Sequence, residues 1–334
     1  MKIKKIILVF LLQAFVLTGP VYSLTIKIGS SAPDRSPWHK ALRKMAIEWA
    51  KITNNKVNLK IFPFGVAGNQ EEMVRKIQKE KLGGAALANF GNIYPDIYAL
   101  NTPFLMSSEK EFNYVFNKMK TYFVKRIESK GFKVIAFGFL GWYYFFSKNP
   151  VFYPEDLQKH KLSLTEMSNE MKQAWKNAGY DIVKTDFKDL EMVMKKGNVN
   201  AFCLSPLVAA LGQYFTMAPN MSSIKVAPVV GGLVLSGKTW EKIPAEYKKQ
   251  MMEVAENHYD ELYKKIKKLE QEAIEEMEEY DLIVNKLPAD ALKKWKDSAA
   301  KFRDALMGKV FSKDVCDRVY KYLDEYQEKY SHRP

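Results

Sequence analysis

The sequence predicts an α/β protein of two lobes crossed by one long helix, and three observations carry that expectation. Strand-like and helix-like patterns alternate on both sides of an aromatic stretch, Trp142 to Phe146, as in lobes built on sheets with parallel members. The segment between Pro244 and Tyr280 has no glycine or proline and repeats apolar residues at helical spacing (Val254, Leu262, Ile266, Leu269). At 1.5 Å per residue it would run about 54 Å, longer than one small lobe, so it is expected to lie across both. About 310 residues remain after an N-terminal leader, enough for two lobes with separate cores, since single cores stop growing near ~250–300 residues.

The elements follow in order. Residues 1–23 read as a secretory signal peptide. Lys2, Lys4 and Lys5 form a basic start, Ile6 to Leu17 is an apolar run broken only by Gln13, and Val21-Tyr22-Ser23 offers a cleavage site before Leu24. Spanning a bilayer takes ~20 apolar residues, so the run is short for an anchor, and no cysteine at the cleavage point offers a lipid attachment. Leu24 to Ile28 alternates as a strand entering Gly29. Ser36-Pro37 starts a helix to about Thr53, with Ser36 capping and Pro37 at the first helical position. Val57 to Phe62 reads as a strand, Gly68-Asn69 opens a helix carrying Met73 and Ile77, and Ala85 to Ala88 reads as a short buried strand. A helix over Glu111–Lys130 and a strand over Lys133–Phe139 lead to the aromatic stretch. Pro154 to Leu164 carries a turn, a short helix and a strand. Glu166–Ala178, Asp181–Val183, Lys188–Lys196 and Val199–Leu204 make a second α/β series. Lys225 to Leu235 is β-rich, and helices over Ala289–Met307 and Lys313–Tyr330 finish the chain. The expected lobes are therefore residues 24–140 with 226–240, and residues 141–225 with 281–334, with 241–280 as the crossing helix.

Charge and cysteine content narrow the class. The chain has 52 Lys+Arg against 38 Asp+Glu, net +14; without the three leader lysines it keeps about +11. A basic balance can signal nucleic acid or an anionic membrane. Here the lysines are interleaved with acids along amphipathic stretches such as Lys264 to Glu279, which reads as a solvated surface of an exported protein with no nucleic-acid partner. Cys203 and Cys316 carry no spacing signal. Cys203, in Ala201-Phe-Cys-Leu204, reads as a buried small hydrophobe, and whether the two pair stays open.

Catalytic constellations are scarce. His39, His160, His258 and His332 are scattered, none at metal-ligand spacing with cysteine or carboxylate. No nucleophile elbow, Walker loop or dinucleotide fingerprint occurs. Gly83-Gly84 and Gly231-Gly232 read as turns or close backbone packing. An enzyme, a metal site and a cofactor are therefore not expected. The aromatic stretch is different. Strand geometry puts Trp142, Tyr144 and Phe146 on one face and Tyr143 and Phe145 on the other, so one set can fill a lobe while the other lines a cleft.

These residues resemble, in order and spacing over essentially the whole mature chain, the DctP-like solute-binding proteins of TRAP transporters. The carriers are Lys27-Ile-Gly-Ser-Ser-Ala-Pro33, Ile61-Phe-Pro-Phe-Gly-Val-Ala-Gly68 leading into Glu72-Met-Val-Arg-Lys-Ile77, and Thr102-Pro-Phe-Leu105. Asn149-Pro-Val-Phe-Tyr-Pro-Glu-Asp-Leu157, Pro206-Leu207 and Lys238-Thr-Trp-Glu-Lys-Ile-Pro-Ala245 complete the set. The resemblance implies a two-lobed periplasmic-binding-protein-like fold, a hinge, a ligand trapped between the lobes, and delivery to a pair of membrane permease subunits. It also implies a periplasmic location, and the profile is closest to members that work with a tetratricopeptide-repeat partner. The family's key arginine, which forks onto a substrate carboxylate, falls at Ser163, and a second arginine of sialic-acid-type members falls near Tyr143. Neither residue replaces a fixed charge.

The expected ligand site lies between the lobes and draws on Asn89, Phe90, Trp142, Tyr143, Ser163 and Ser205. Asn89-Phe90 and Ser205 follow strands, where α/β sheets open their binding crevices. With serine at the arginine position the expected ligand is largely hydrophobic or amphipathic, unless Arg35 or Lys161 supplies the missing cation. The competing reading is a periplasmic sensor or carrier that presents its ligand to a protein partner without transport.

Overall fold

The computed structural model describes residues 23–165, 167–183 and 185–330; the expected signal peptide lies outside them but for Ser23. Ten strands occur among the described residues: β1 (Leu24–Ser30), β2 (Val57–Phe62), β3 (Gly84–Leu87), β4 (Phe132–Ser147), β5 (Lys161–Ser163), β6 (Asp181–Val183), β7 (Ala201–Leu204), β8 (Asn220–Ser222), β9 (Ala227–Ser236) and β10 (Ile283–Asn285). The first sheet runs β2-β1-β3-β9-β4, with β2, β1 and β3 parallel and β9 antiparallel between β3 and β4. The second places β6, β5 and β7 in parallel beside the end of β4, with β8 and β10 on its other side.

Strand β4 therefore belongs to both lobes. Residues from Phe132 to Tyr143 pair with β9, and Tyr144 to Ser147 pair with β7. The sequence reading stopped a strand at Phe139; the structure carries it on to Ser147, 16 residues in all, because aromatic residues run unbroken from Trp142 through Phe146. Gly231 explains one of the glycine pairs. A Cβ there would lie 2.1 Å from the Leu87 carbonyl oxygen, so only glycine lets β9 pass this close to β3.

Local sequence rules set the helix starts. Ser36 accepts the His39 N–H at 3.1 Å with Pro37 at the first position. Asn69 with Glu72, and Ser108 with Glu111, form capping boxes. The long helix spans Ala245–Glu279. It packs on the Pro37–Ile52 helix of the first lobe, on β4, and on the Pro206–Leu211 helix of the second, so one rod touches both lobes.

One core runs through both lobes, while each lobe also keeps a cluster of its own, around Trp49 in the first and Phe202 in the second. Phe104, from the loop carrying Thr102-Pro-Phe-Leu105, lies 4.8 Å from Trp295 and about 6 Å from Phe145, Trp175 and Phe302, centroid to centroid. Its N–H donates to the Val226 carbonyl at 2.7 Å. A first-lobe loop thus plugs the aromatic core of the second. The C-terminal segment is divided as well. The Ala291–Leu306 helix packs on the second lobe, whereas the Lys313–Tyr330 helix lies against the Glu109–Glu128 helix of the first, with Tyr114 and Tyr326 rings 5.6 Å apart. Cys203 and Cys316 are both buried and free.

Candidate functional site

Two pairs of parallel strands, β1 with β3 in one sheet and β5 with β7 in the other, end at one cavity. Ser31, Ala88, Thr165 and Ser205 stand just beyond those ends and line it, which is where open α/β sheets place their ligands. The cavity holds about 150 Å³. Trp38, Leu42 and Met45, on one face of the Pro37–Ile52 helix, form one wall. Leu140 and Tyr143 of β4, with Val229 and Leu233 of β9, form the floor. Phe187, Leu204 and Val208 enclose it from the second lobe, and the long helix contributes Ala255, His258, Tyr259 and Leu262.

Among the described residues, no lysine, arginine, aspartate or glutamate lines the cavity. Its polar groups are mostly engaged with the protein itself. Ser31 Oγ donates to the Ala86 carbonyl at 3.2 Å and accepts the Ala88 N–H at 3.0 Å. Ser205 caps the Pro206–Leu211 helix through the Val208 N–H. Tyr259 donates to the Phe139 carbonyl at 3.0 Å, and burial holds its phenol well above the usual range, so it stays a neutral donor. His258 Nε2 pairs outward with Glu48 at 2.8 Å. The Trp38 indole N–H is buried against the wall with no partner. Such a surface suits apolar atoms. A carboxylate would lose several kcal/mol of hydration on entry, with no lysine or arginine among the described lining residues to offset it, whereas each buried methylene contributes about 0.8 kcal/mol.

Of the six residues singled out from sequence, the structure brings Tyr143 and Ser205 together on this cavity. The other four stand off its walls. Phe90 is fully buried, stacked on Phe137 at 5.2 Å in the first-lobe core. Asn89 supports its loop, donating to Asn101 Oδ1 at 3.0 Å and accepting the Gly91 N–H; Ala86, Leu87 and Ala88 take the wall in its place. Trp142 is buried against Phe139 with the Lys225 ammonium 5.1 Å from its ring centroid. The Ser163 side chain is wholly buried and its hydroxyl unpartnered, with Thr165 on the wall instead. Arg35 and Lys161, the possible replacement cations, are exposed and off the cavity. The helical walls were missed because Trp38, Leu42, Met45 and Leu262 follow the spacing of any core-facing helix, and nothing in that spacing distinguishes a core from a cavity. Among the described residues no cluster of histidine, cysteine or carboxylates could hold a metal ion.

Residues 28–309 match the profile of DctP, the bacterial extracellular solute-binding proteins of family 7. A TRAP periplasmic solute-binding protein from Haemophilus influenzae RdAW with bound L-gulonate superposes with a TM-score of 0.82 at 17% identity, covering 90% of this chain and 99% of the other. One from Desulfovibrio salexigens with bound orotic acid gives 0.81 at 19% identity, covering 91% and 99%. One from Fusobacterium nucleatum with bound sn-glycerol-3-phosphate gives 0.81 at 18%, covering 93% and 100%. These likenesses establish the two-lobed fold. An uncharacterized protein of Haemophilus influenzae Rd is 25% identical over 189 residues, 55% of this chain and 57% of that relative's length.

Proposed function

Because this chain belongs to the bacterial extracellular solute-binding proteins of family 7, we propose that it is an exported receptor that captures a largely apolar or amphipathic solute between its lobes and hands it to a TRAP-type membrane permease. One observation carries the choice of ligand: a cavity bounded by both lobes and the long helix, with no lysine, arginine, aspartate or glutamate among the described residues of its walls and with His258 turned to Glu48. The bound solutes of the structural relatives, L-gulonate, orotic acid and glycerol phosphate, are all polar acids. Serine at position 163 and tyrosine at 143 leave no fork for such a group, so the cavity supports a departure from that substrate class. The described residues contain no helix long and apolar enough to cross a membrane, which agrees with a receptor that meets its permease by docking. Tetratricopeptide-repeat assistance, suggested by the sequence profile, belongs to the same reading. Native mass spectrometry of the exported protein, followed by solvent extraction, tests it. An apolar or amphipathic adduct released on denaturation is the expected result, and a co-purifying small dicarboxylate or sugar acid would overturn the ligand assignment.

A further inference from the structure

Strand β4 changes sheets within a few residues, and the change is built around a bulge. Phe139 is in register with Val230 and Trp142 with Pro228, so one extra residue is taken up between them, a device that re-aims side chains. Gly141 sits in the bulge at φ 123°. A Cβ there would lie 2.3 Å from Glu270 Oε1, so the glycine makes room for that carboxyl. The Trp142 N–H turns to the long helix and donates to Glu270 Oε1 at 2.9 Å. Glu270 is only 6% exposed, an expensive position that hydrophobic packing alone would not select. The next residue, Tyr143, lines the cavity, and its carbonyl accepts the Val226 N–H at 2.9 Å.

We propose that Glu270 is a positioning residue of the cleft: its carboxyl holds the β4 bulge against the long helix and so sets where the Tyr143 ring enters the cavity. The proposal rests on the reading of that cavity as the ligand site.

The charges around Glu270 make the arrangement responsive to pH. Burial pushes its carboxyl up to about 8, against the Trp142 N–H and the Lys225 ammonium, which favour the charged form; Glu109 of the Glu109–Glu128 helix pushes the same way as burial. Lys225 is itself lowered by burial, with Glu270, Glu109 and Glu111 opposing that and Lys267 adding to it. The Tyr144 phenol faces Glu270 from the strand and is raised, first by burial and then by that carboxyl. Glu270 is thus neutral at pH 7 and ionises near 8. A carboxylate accepts a hydrogen bond about twice as strongly as a neutral group, so ionisation grips Trp142 more firmly and draws Lys225 inward.

The test follows the Trp142 amide and the Tyr143 ring by NMR in the selectively labelled full chain, from about pH 6 to about 10. Both are expected to shift together with a midpoint near 8, and the shared shift is expected to vanish in Glu270→Gln. In parallel, the affinity for the neutral fluorophore N-phenyl-1-naphthylamine should change about threefold or more across that range in the native chain alone. A Tyr143 ring that stays still while Trp142 titrates, or an unchanged titration in Glu270→Gln, would overturn the proposal. Glu270→Asp, one methylene shorter, should displace both signals at every pH and serves if the glutamine variant fails to fold. If the fluorophore binds at no pH, the apolar cavity is refuted, and the resonance titration still decides the role of Glu270.

Discussion

His258 Nε2 and Glu48 Oε2 meet at 2.8 Å, binding the long helix to the first helix of the first lobe at the edge of the cavity. The Glu48 side chain is 46% exposed, so it can rehydrate if its partner is lost, and the contact belongs with exposed surface pairs worth at most ~1 kcal/mol. His258→Leu should therefore cost about 1 kcal/mol or less in urea unfolding and leave the affinity for an uncharged apolar probe unchanged or higher. A loss of several kcal/mol would show that the pair is structural rather than peripheral.

By the sequence resemblance, an arginine of sialic-acid-type members falls near Tyr143, which lines the cavity here. Tyr143→Arg would set a cation among apolar walls. Its desolvation should weaken an uncharged probe by roughly tenfold or more, equivalent to about 1.4 kcal/mol, measured by fluorescence titration alongside a circular-dichroism check of folding. Unchanged affinity would remove Tyr143 from the binding wall.

Gly141 combines a left-handed φ with the close approach of Glu270. Gly141→Ala should destabilise by ~2–4 kcal/mol, combining backbone strain of about 1–3 kcal/mol with displacement of a buried carboxyl. Gly65→Ala, also at positive φ but with open space around its Cβ, should cost only about 1 kcal/mol. Equal losses in the two variants would mean that the Glu270 contact contributes nothing.

Glu270 also predicts a sign for stability against pH. Its folded pKa of about 8 lies above the ordinary 4.5, so the folded chain holds a proton that the unfolded chain releases between those values. Its contribution is fully present below about pH 4.5 and is lost as pH rises through 8. Relative to Glu270→Gln, the native chain should lose stability with rising pH over that window, on the order of 5 kcal/mol in all, and the difference should be flat on either side. Denaturant midpoints across the pH range check this, and a difference that grows in favour of the native chain would contradict it.

Much of the fold was legible because it is written in short-range signals. Ser36-Pro37, Asn69 with Glu72, and the unbroken stretch after Pro244 each mark a helix by a mechanism that needs no partner. The union of the cores was not, since nothing in Thr102-Pro-Phe-Leu105 says that Phe104 will reach Trp295. Alternation along Trp142 to Phe146 correctly separated neighbours but not environments. The second lobe covers both faces of β4, so Phe145 and Phe146 are both buried and only Tyr143 reaches the cavity. Strand ends located Ser205 directly and missed by one or two residues at Asn89 and Ser163, where Ala88 and Thr165 line the wall.

The central claim is that the cleft receives apolar matter and refuses small dianions. Isothermal titration of the extracted, ligand-free protein with 1-octanol and with succinate, in the same buffer, tests it most directly. The alcohol should bind with a negative heat-capacity change, the mark of apolar burial, and succinate should give no heat beyond dilution at concentrations up to about 1 mM, some 4 kcal/mol of binding free energy. Micromolar binding of succinate with no response to the alcohol would contradict the account.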